Sequence, residues 1–484
     1  MKNLTIACHR LAYAIGIDLA VGFTIAGRAW LAVAGVITLM LVGYCMSPGE
    51  QGYYYTFGSL LALQVFVELG LTNVILQFAS HERAHLESTS CGVLDGDPDA
   101  KSRLASLLRL MLQWYGIAAI LFVALLLPAG YFFFTHCASG ATNMGWHWPW
   151  VGTVLATAGT LVTMPVLAFL EGCGRVVEVA RFRILQSVIA NVTLWLALLG
   201  GAGLRAAPMF ALVSLLAAAV WIFTSQRAFL VDLLTLPLRR RIVWKEEIWP
   251  YQWRIAISWL SGYCIFQLFV PVLFAYQGAA EAGQMGMALS LSGAVSTLGL
   301  SWLTTKVPRF GMLVSLRQFD ELDRIFDRAT QQAVGVSMFG AGLLLGAIGL
   351  LNLLQNPLAI RLLSPLPLAL LLVATVVNVI VSAEATYLRA FKREPFLVIS
   401  VLNALLIGCW TCSVGRTYGA LGMMVGYMLI NGAVGLGLGT WIFLHCRRTW
   451  SEDSINVGRT PIASTQANTH VSHRSTDIVT SPTS

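Results

Sequence analysis

Residues 117–134 read IAAILFVALLLPAGYFFF, eighteen consecutive positions without a charge. Wound into a helix at about 1.5 Å per residue, such a run reaches nearly across the roughly 30 Å hydrocarbon layer of a bilayer. It lacks the alternating polarity of a barrel strand, so a helix is the spanning element it predicts. Comparable runs recur along the whole chain. The 484 residues are 57% hydrophobic and only 11% charged, where a soluble domain carries about one quarter charged residues.

Apolar length and turn residues place spans at roughly 25–46, 54–80, 105–134, 149–171, 184–204 and 207–230. A second set falls at roughly 252–276, 284–306, 329–354, 366–390, 396–415 and 419–446. The expected fold is therefore an all-α membrane protein with about twelve transmembrane helices in two parallel six-helix lobes around a central cavity. The implied organisation is a cytoplasmic or interfacial N-terminus at 1–24, an N-lobe at 25–230, an inter-lobe linker at 231–251, a C-lobe at 252–446 and a disordered cytoplasmic tail at 447–484.

The formal charge of +8 does not point to nucleic acid, because the cations sit in short loops between apolar runs. Lys and Arg resist translocation and gather on the cytoplasmic side. Alternate loops carry Arg83, Lys101 and Arg103, then Arg175, Arg181 and Arg183, then Arg239, Arg240, Arg241 and Lys245, then Arg309, Arg317 and Arg324, then Lys392 and Arg393, with Arg447 and Arg448 after the last span. The opposite loops hold little more than Arg205, Arg361 and Arg416, beside the acids Glu50 and Glu281. Both termini are expected inside. Trp146, Trp148 and Trp150, the run Tyr53–Tyr55, and the group Trp244, Trp249, Tyr251 and Trp253 read as interfacial anchors.

The two halves repeat small features in order. Glu50-x-Gly52 returns as Glu281-x-Gly283, Gly70-Leu71 as Gly299-Leu300, Phe169-Leu170 as Tyr387-Leu388, and Trp221-Ile222-Phe223 as Trp441-Ile442-Phe443. Six helices is an even number, so the copies face the same way about an axis along the membrane normal.

Glu50-Gln51-Gly52-Tyr53-Tyr54-Tyr55-Thr56-Phe57, then Glu68-Leu69-Gly70-Leu71 and Gln77-Phe78-Ala79-Ser80-His81-Glu82, resembles polysaccharide flippases of the multidrug/oligosaccharidyl-lipid/polysaccharide superfamily, of the O-antigen type. The resemblance implies movement of a polyprenyl-pyrophosphate-linked oligosaccharide from the inner to the outer leaflet of a bacterial inner membrane. The implied partners are that lipid-linked oligosaccharide, membrane lipids and glycan-assembly proteins. A pyrophosphate needs cations, and Arg28, Arg254 and Lys306 lie within or beside spans as candidate substrate-binding residues. Glu68 and Glu384 are the candidate coupling carboxylates, with Glu171 a further acid at the end of a span. No catalytic residue, metal or cofactor is expected. No phosphate-binding loop is present, since none of the five lysines follows a glycine, and the membrane potential is the expected driver.

Competing signals are weaker. His81-Glu82-Arg83-Ala84-His85 fits the H-E-x-x-H zinc pattern, with Asp95 nearby in Leu94-Asp95-Gly96. A cation-coupled drug or metabolite antiporter, a zinc protease and a glycan polymerase or ligase are the alternatives. The last would need a large outer loop, and every loop on that side is short. Cys409 and Cys412 lie inside an apolar run with no second ligand pair. Pro165, Pro271, Pro308 and Pro365 are candidate kinks, while Asn191, Asn378 and Asn403 are candidates for lining a cavity or tying helices together.

Overall fold

The computed structural model describes residues 19–84, 86–88, 94–137, 144–237, 239, 242–391 and 394–459. The chain is built of helices α1 (Leu19–Cys45), α2 (Pro48–Leu61), α3 (Val65–Glu68), α4 (Leu71–Arg83), α5 (Pro98–Cys137), α6 (His147–Gly172), α7 (Val176–Leu199), α8 (Ala206–Trp221) and α9 (Arg227–Thr235) in its first half. The second half holds α10 (Trp249–Phe266), α11 (Phe269–Tyr276), α12 (Ala279–Thr304), α13 (Val307–Ser315), α14 (Phe319–Leu353), α15 (Pro365–Ala390), α16 (Phe396–Ile430) and α17 (Gly439–Arg459). A two-stranded antiparallel hairpin, β1 (Leu86–Ser88) with β2 (Leu94–Gly96), follows α4, where the sequence reading expects only a charged loop.

Among the described residues, ten helical segments are long and apolar enough to cross a membrane, and the pair Pro48–Glu68 with Leu71–Arg83, bent by 45°, is an eleventh. Within α16, Gly419 has φ 57° and ψ −149°, which no helix accommodates. There the chain turns back on itself, so that Trp410 Nε1 donates to Gly422 O at 2.9 Å and Asn403 Nδ2 to Asn431 Oδ1 at 2.9 Å. The last apolar segment is thus two antiparallel spans, which brings the spans among the described residues to twelve.

Local chemistry accounts for the breaks. The expected span at 54–80 is interrupted because Leu69 and Gly70 both take left-handed φ, 50° and 68°. Pro308 and Pro365 occupy first-turn positions of α13 and α15, where a missing N–H costs nothing, whereas α6 runs through Pro165. The ends also run longer than expected. Helix α5 begins at Pro98, well before the span starting near 105, and α17 extends to Arg459.

Helices α1 to α9 pack among themselves, as do α10 to α17, and the broadest contact between the two sets is α2 against α12. The apolar core records this division. One cluster joins both lobes at the end of the bundle bearing Glu50 and Glu281: Tyr53 and Phe134 from the first lobe meet Phe274 of the second at ring separations of 4.9 and 5.4 Å. At the other end the core splits. Leu71, Phe169 and Phe182 belong to a cluster of the first lobe alone, and Leu303, Phe326 and Phe443 to one of the second alone.

The aromatic anchors need correction. Tyr53 is completely buried in the shared core, Trp150 is 1% exposed, and Trp146 is buried against Phe134, leaving Trp148 at 83% exposure as the outward-facing member. A Cβ on Gly130 would collide with the Trp150 ring, so that glycine makes room for the indole.

Candidate transport cavity

The repeated Glu-x-Gly pairs sit where the lobes cross. A Cβ on Gly52 would collide with the carbonyl of Ala279, and one on Gly283 would lie 2.8 Å from the Gly52 nitrogen. The two glycines therefore let α2 and α12 touch backbone to backbone. Their glutamates are equivalent as well. Glu50 completes a capping box with Ser47, accepting the Ser47 N–H at 2.8 Å while its own N–H donates to Ser47 Oγ at 3.2 Å, and its carboxylate abuts Gly203, whose φ is 54°. Glu281 Oε1 accepts the Ala420 N–H at 2.9 Å and lies against Gly419, whose φ is 57°. In each lobe the carboxylate at the start of one span clasps the left-handed glycine at the turn between the last two spans of that lobe.

Side chains of α2 fasten the crossing. Gln51, 1% exposed, donates from Nε2 to Gly283 O at 2.9 Å and Arg361 O at 3.1 Å. Tyr263 donates its hydroxyl proton to Ser59 O at 3.2 Å from the facing lobe.

Beside this crossing lies a cavity of about 570 Å³ bounded by α2, α10, α11, α12, α15 and α16. Its polar lining includes Ser59, Gln267, Ser296, Thr375, Asn378 and Tyr427, and among the described residues no charged side chain lines it. Asn378 Nδ2 donates to Tyr427 Oη at 2.7 Å, so this asparagine both lines the cavity and ties α15 to α16. Sequence reading singles out Asn378 but none of the hydroxyls. The available signal is the spacing of Gly286, Ser290, Gly293 and Thr297, a stripe of small and polar residues along one face of the apolar α12.

The five candidate site residues do not converge. Arg28 is exposed on α1, and Gly27 and Trp30 face α7, where Trp30 Nε1 donates to Ser187 Oγ at 3.2 Å. Arg28 lies on a separate stripe with Ala32, Gly35, Leu39, Val42 and Met46. Its far members, Val42 and Met46, enter the core shared by both lobes, while Ala32 and Gly35 beside Arg28 are exposed. Lys306 is exposed at the turn between α12 and α13. Arg254 lies within α10, and its side chain is outside the described residues.

The acids belong to separate lobes. Glu68, 6% exposed, accepts the Thr72 hydroxyl at 2.5 Å, and Thr72 in turn lies 3.0 Å from the Tyr115 hydroxyl. Glu384, 4% exposed, accepts the Thr440 hydroxyl at 2.8 Å, while its Oε2 has no hydrogen-bond partner among the described residues. Neither carboxylate reaches the cavity lining. Glu171 pairs with Arg183 at 3.2 Å.

The H-E-x-x-H pattern has another use. Glu82 is buried and accepts Arg103 Nε at 2.8 Å, and the same guanidinium donates from Nη2 to Glu247 at 2.7 Å. His85 lies outside the described residues.

Fold and cavity together define a two-lobe helical membrane bundle with a polar chamber at the lobe interface. Neither a family model nor a curated protein matches the chain. Among solved structures, the fold is similar to the lipid II flippase MurJ in an inward closed conformation, with a TM-score of 0.57 at 12% identity over 90% of this chain and 91% of that one. It is equally similar to the MATE multidrug transporter DinF-BH, with a TM-score of 0.57 at 14% identity over 89% and 95%. A MATE structure in a bent conformation gives 0.50 at 14% identity over 90% and 96%. At these identities the likeness is one of fold. The structural neighbours are transporters of the multidrug/oligosaccharidyl-lipid/polysaccharide superfamily, MATE proteins and a lipid flippase among them, and not enzymes.

Proposed function

We propose that the chain is an alternating-access flippase that carries a polyprenyl-pyrophosphate-linked oligosaccharide from the inner to the outer leaflet of a bacterial inner membrane. The observation that carries this reading is a core shared by both lobes at one end only, with a polar chamber beside the junction. The divided end bears Arg103, Arg175, Arg309 and Arg447, and the bias of Lys and Arg supports reading it as the cytoplasmic end. The form described is then closed to the outside. A sugar head group cannot cross hydrocarbon unaided, because each unsatisfied polar group there costs several kcal/mol, and a wet path between lobes removes that barrier.

Arg28, exposed on α1, is the residue assigned to the pyrophosphate, with Arg254 and Lys306 guiding its approach. Glu68 and Glu384 are assigned to coupling. An inside-negative potential favours outward movement of the anionic head by about 2.3 kcal/mol per charge per 100 mV. The alternative, a cation-coupled drug or metabolite antiporter, is disfavoured by a chamber without a carboxylate among its described lining residues.

Protein reconstituted in liposomes, with a fluorescent lipid-diphosphate glycan quenched from outside, tests the reading. Wild type is expected to flip the probe faster under an inward-negative potential, and Arg28→Ala to lose most of that rate while still inserting. Unchanged flipping by Arg28→Ala would remove the residue from the mechanism, and export of a lipophilic cationic dye in place of the glycan would favour the antiporter.

A further inference from the structure

We infer that the chamber is a subsite for an uncharged glycan, and that the diphosphate stays outside it on the Arg28 side. The inference rests on the flippase reading and specifies its substrate class. Its basis is a lining of neutral polar groups in which, among the described residues, no charged side chain takes part. Ser292, Thr297 and Thr375 donate their hydroxyl protons back to the carbonyls of Leu289, Gly293 and Leu371 at 3.0, 2.8 and 2.7 Å. A serine or threonine whose only proton is so used presents lone pairs to the space in front of it.

Part of the chamber wall therefore presents acceptors, and the Gln267 amide adds neutral donors. Sugar hydroxyls can both donate to and accept from such a wall, whereas a carboxylate or phosphate oxygen placed there meets only neutral groups. Among the described residues no Lys, Arg or His lines the chamber to offset that charge. The Asn378–Tyr427 pair adds one fixed polar couple. Tyr427 accepts the Asn378 amide at 2.7 Å, which leaves the asparagine carbonyl able to accept from a sugar hydroxyl. Phe266, 47% exposed, and Tyr55 supply apolar faces beside these groups, as the C–H face of a sugar ring requires. The volume, about 570 Å³, is in the range that holds a drug-sized ligand, about two sugar rings. An organic cation meets no carboxylate in this wall, since neither Glu68 nor Glu384 is among its lining residues.

Two probes decide the matter in liposomes containing the full chain: a polyprenyl diphosphate bearing a neutral trisaccharide of hexose and N-acetylhexosamine, and its counterpart with the terminal hexose oxidised to a uronate. Wild type is expected to flip the neutral probe at least about tenfold faster, the effect of leaving one buried charge without a partner. Asn378→Leu is expected to slow the neutral probe about five- to tenfold, and Ser296→Lys to slow the neutral probe while speeding the uronate. Equal wild-type rates for the two probes overturn the neutral subsite and leave the flippase standing. Failure of both probes to cross overturns the flippase itself and the subsite with it. The wild-type comparison needs no variant, so a substitution that fails to fold does not blunt it.

Discussion

Glycine at position 52 has a definite physical task, since a methyl group there has only the backbone of Ala279 to push against, and Gly283 meets Gly52 in the same way. Overpacking of a tight contact costs about 1–3 kcal/mol when the neighbours cannot yield. Gly52→Ala is accordingly expected to lower the thermal unfolding midpoint of the purified protein, whereas Gly58→Ala, six residues along α2 with open space around it, should leave the midpoint nearly unchanged. Equal midpoints for the two variants would contradict the backbone contact. The Glu-x-Gly repeat was legible in the sequence as a repeated pattern, but its purpose was not. Nothing in residues 50–52 or 281–283 alone says that the two copies meet each other, because that contact spans more than two hundred positions. The tyrosines were misread for a related reason. An amphipathic ring suits both a bilayer interface and a tight interior contact, and only the packing of Tyr53 on Phe274 at 4.9 Å decides between them.

Between α9 and α10 the connecting segment is fastened along one end of α5. Arg109 Nη2 donates to the Leu234 and Leu236 carbonyls at 2.7 and 2.6 Å, Ser102 Oγ accepts the Arg239 N–H at 2.8 Å, and Ser106 Oγ accepts the Ile242 N–H at 3.2 Å. Arg103 completes the fastening through Glu247 and the buried Glu82. The linker as far as Glu247 is thus fastened to the first lobe. Removing one partner of a buried ion pair costs about 3–5 kcal/mol because the other charge stays behind. Arg103→Met should therefore lower the unfolding midpoint clearly, and adding Glu82→Gln should recover part of the loss. No recovery in the double variant would mean that Glu82 is not the stranded charge. The twelve spans themselves were readable, because length and absence of charge are properties of each segment alone. The break at Leu69–Gly70 was not, since its left-handed residues lie inside an apolar run with no proline to announce it. The buried role of Glu82 was hidden too, because Arg103 and Glu247 are far away in sequence.

At the scale of the whole molecule, the described form is held shut at one end by few polar groups. The cross-lobe hydrogen bonds of α2 include those of Gln51 to Gly283 O, Arg361 O and, more weakly, Met287 Sδ, and that of Tyr263 to Ser59, set within the shared aromatic core. Opening this end separates α2 from α12, and water then replaces these bonds. Each is worth about 1 kcal/mol net, so losing two or three shifts the balance between the closed and open forms by about thirty- to a hundred-and-sixtyfold. Such a shift does not require unfolding, because each lobe keeps its own core at the opposite end. Gln51→Leu combined with Tyr263→Phe should therefore populate the form open on the Glu50 and Glu281 side. Spin labels on Leu199→Cys and Ile360→Cys, both exposed, with Cys409 and Cys412 replaced by serine, report the separation directly. The wild type should give mainly the short distance and the double variant a second, longer one. A single unchanged distance would place the latch elsewhere, and the aromatic core around Phe274 would then have to hold the end closed by itself.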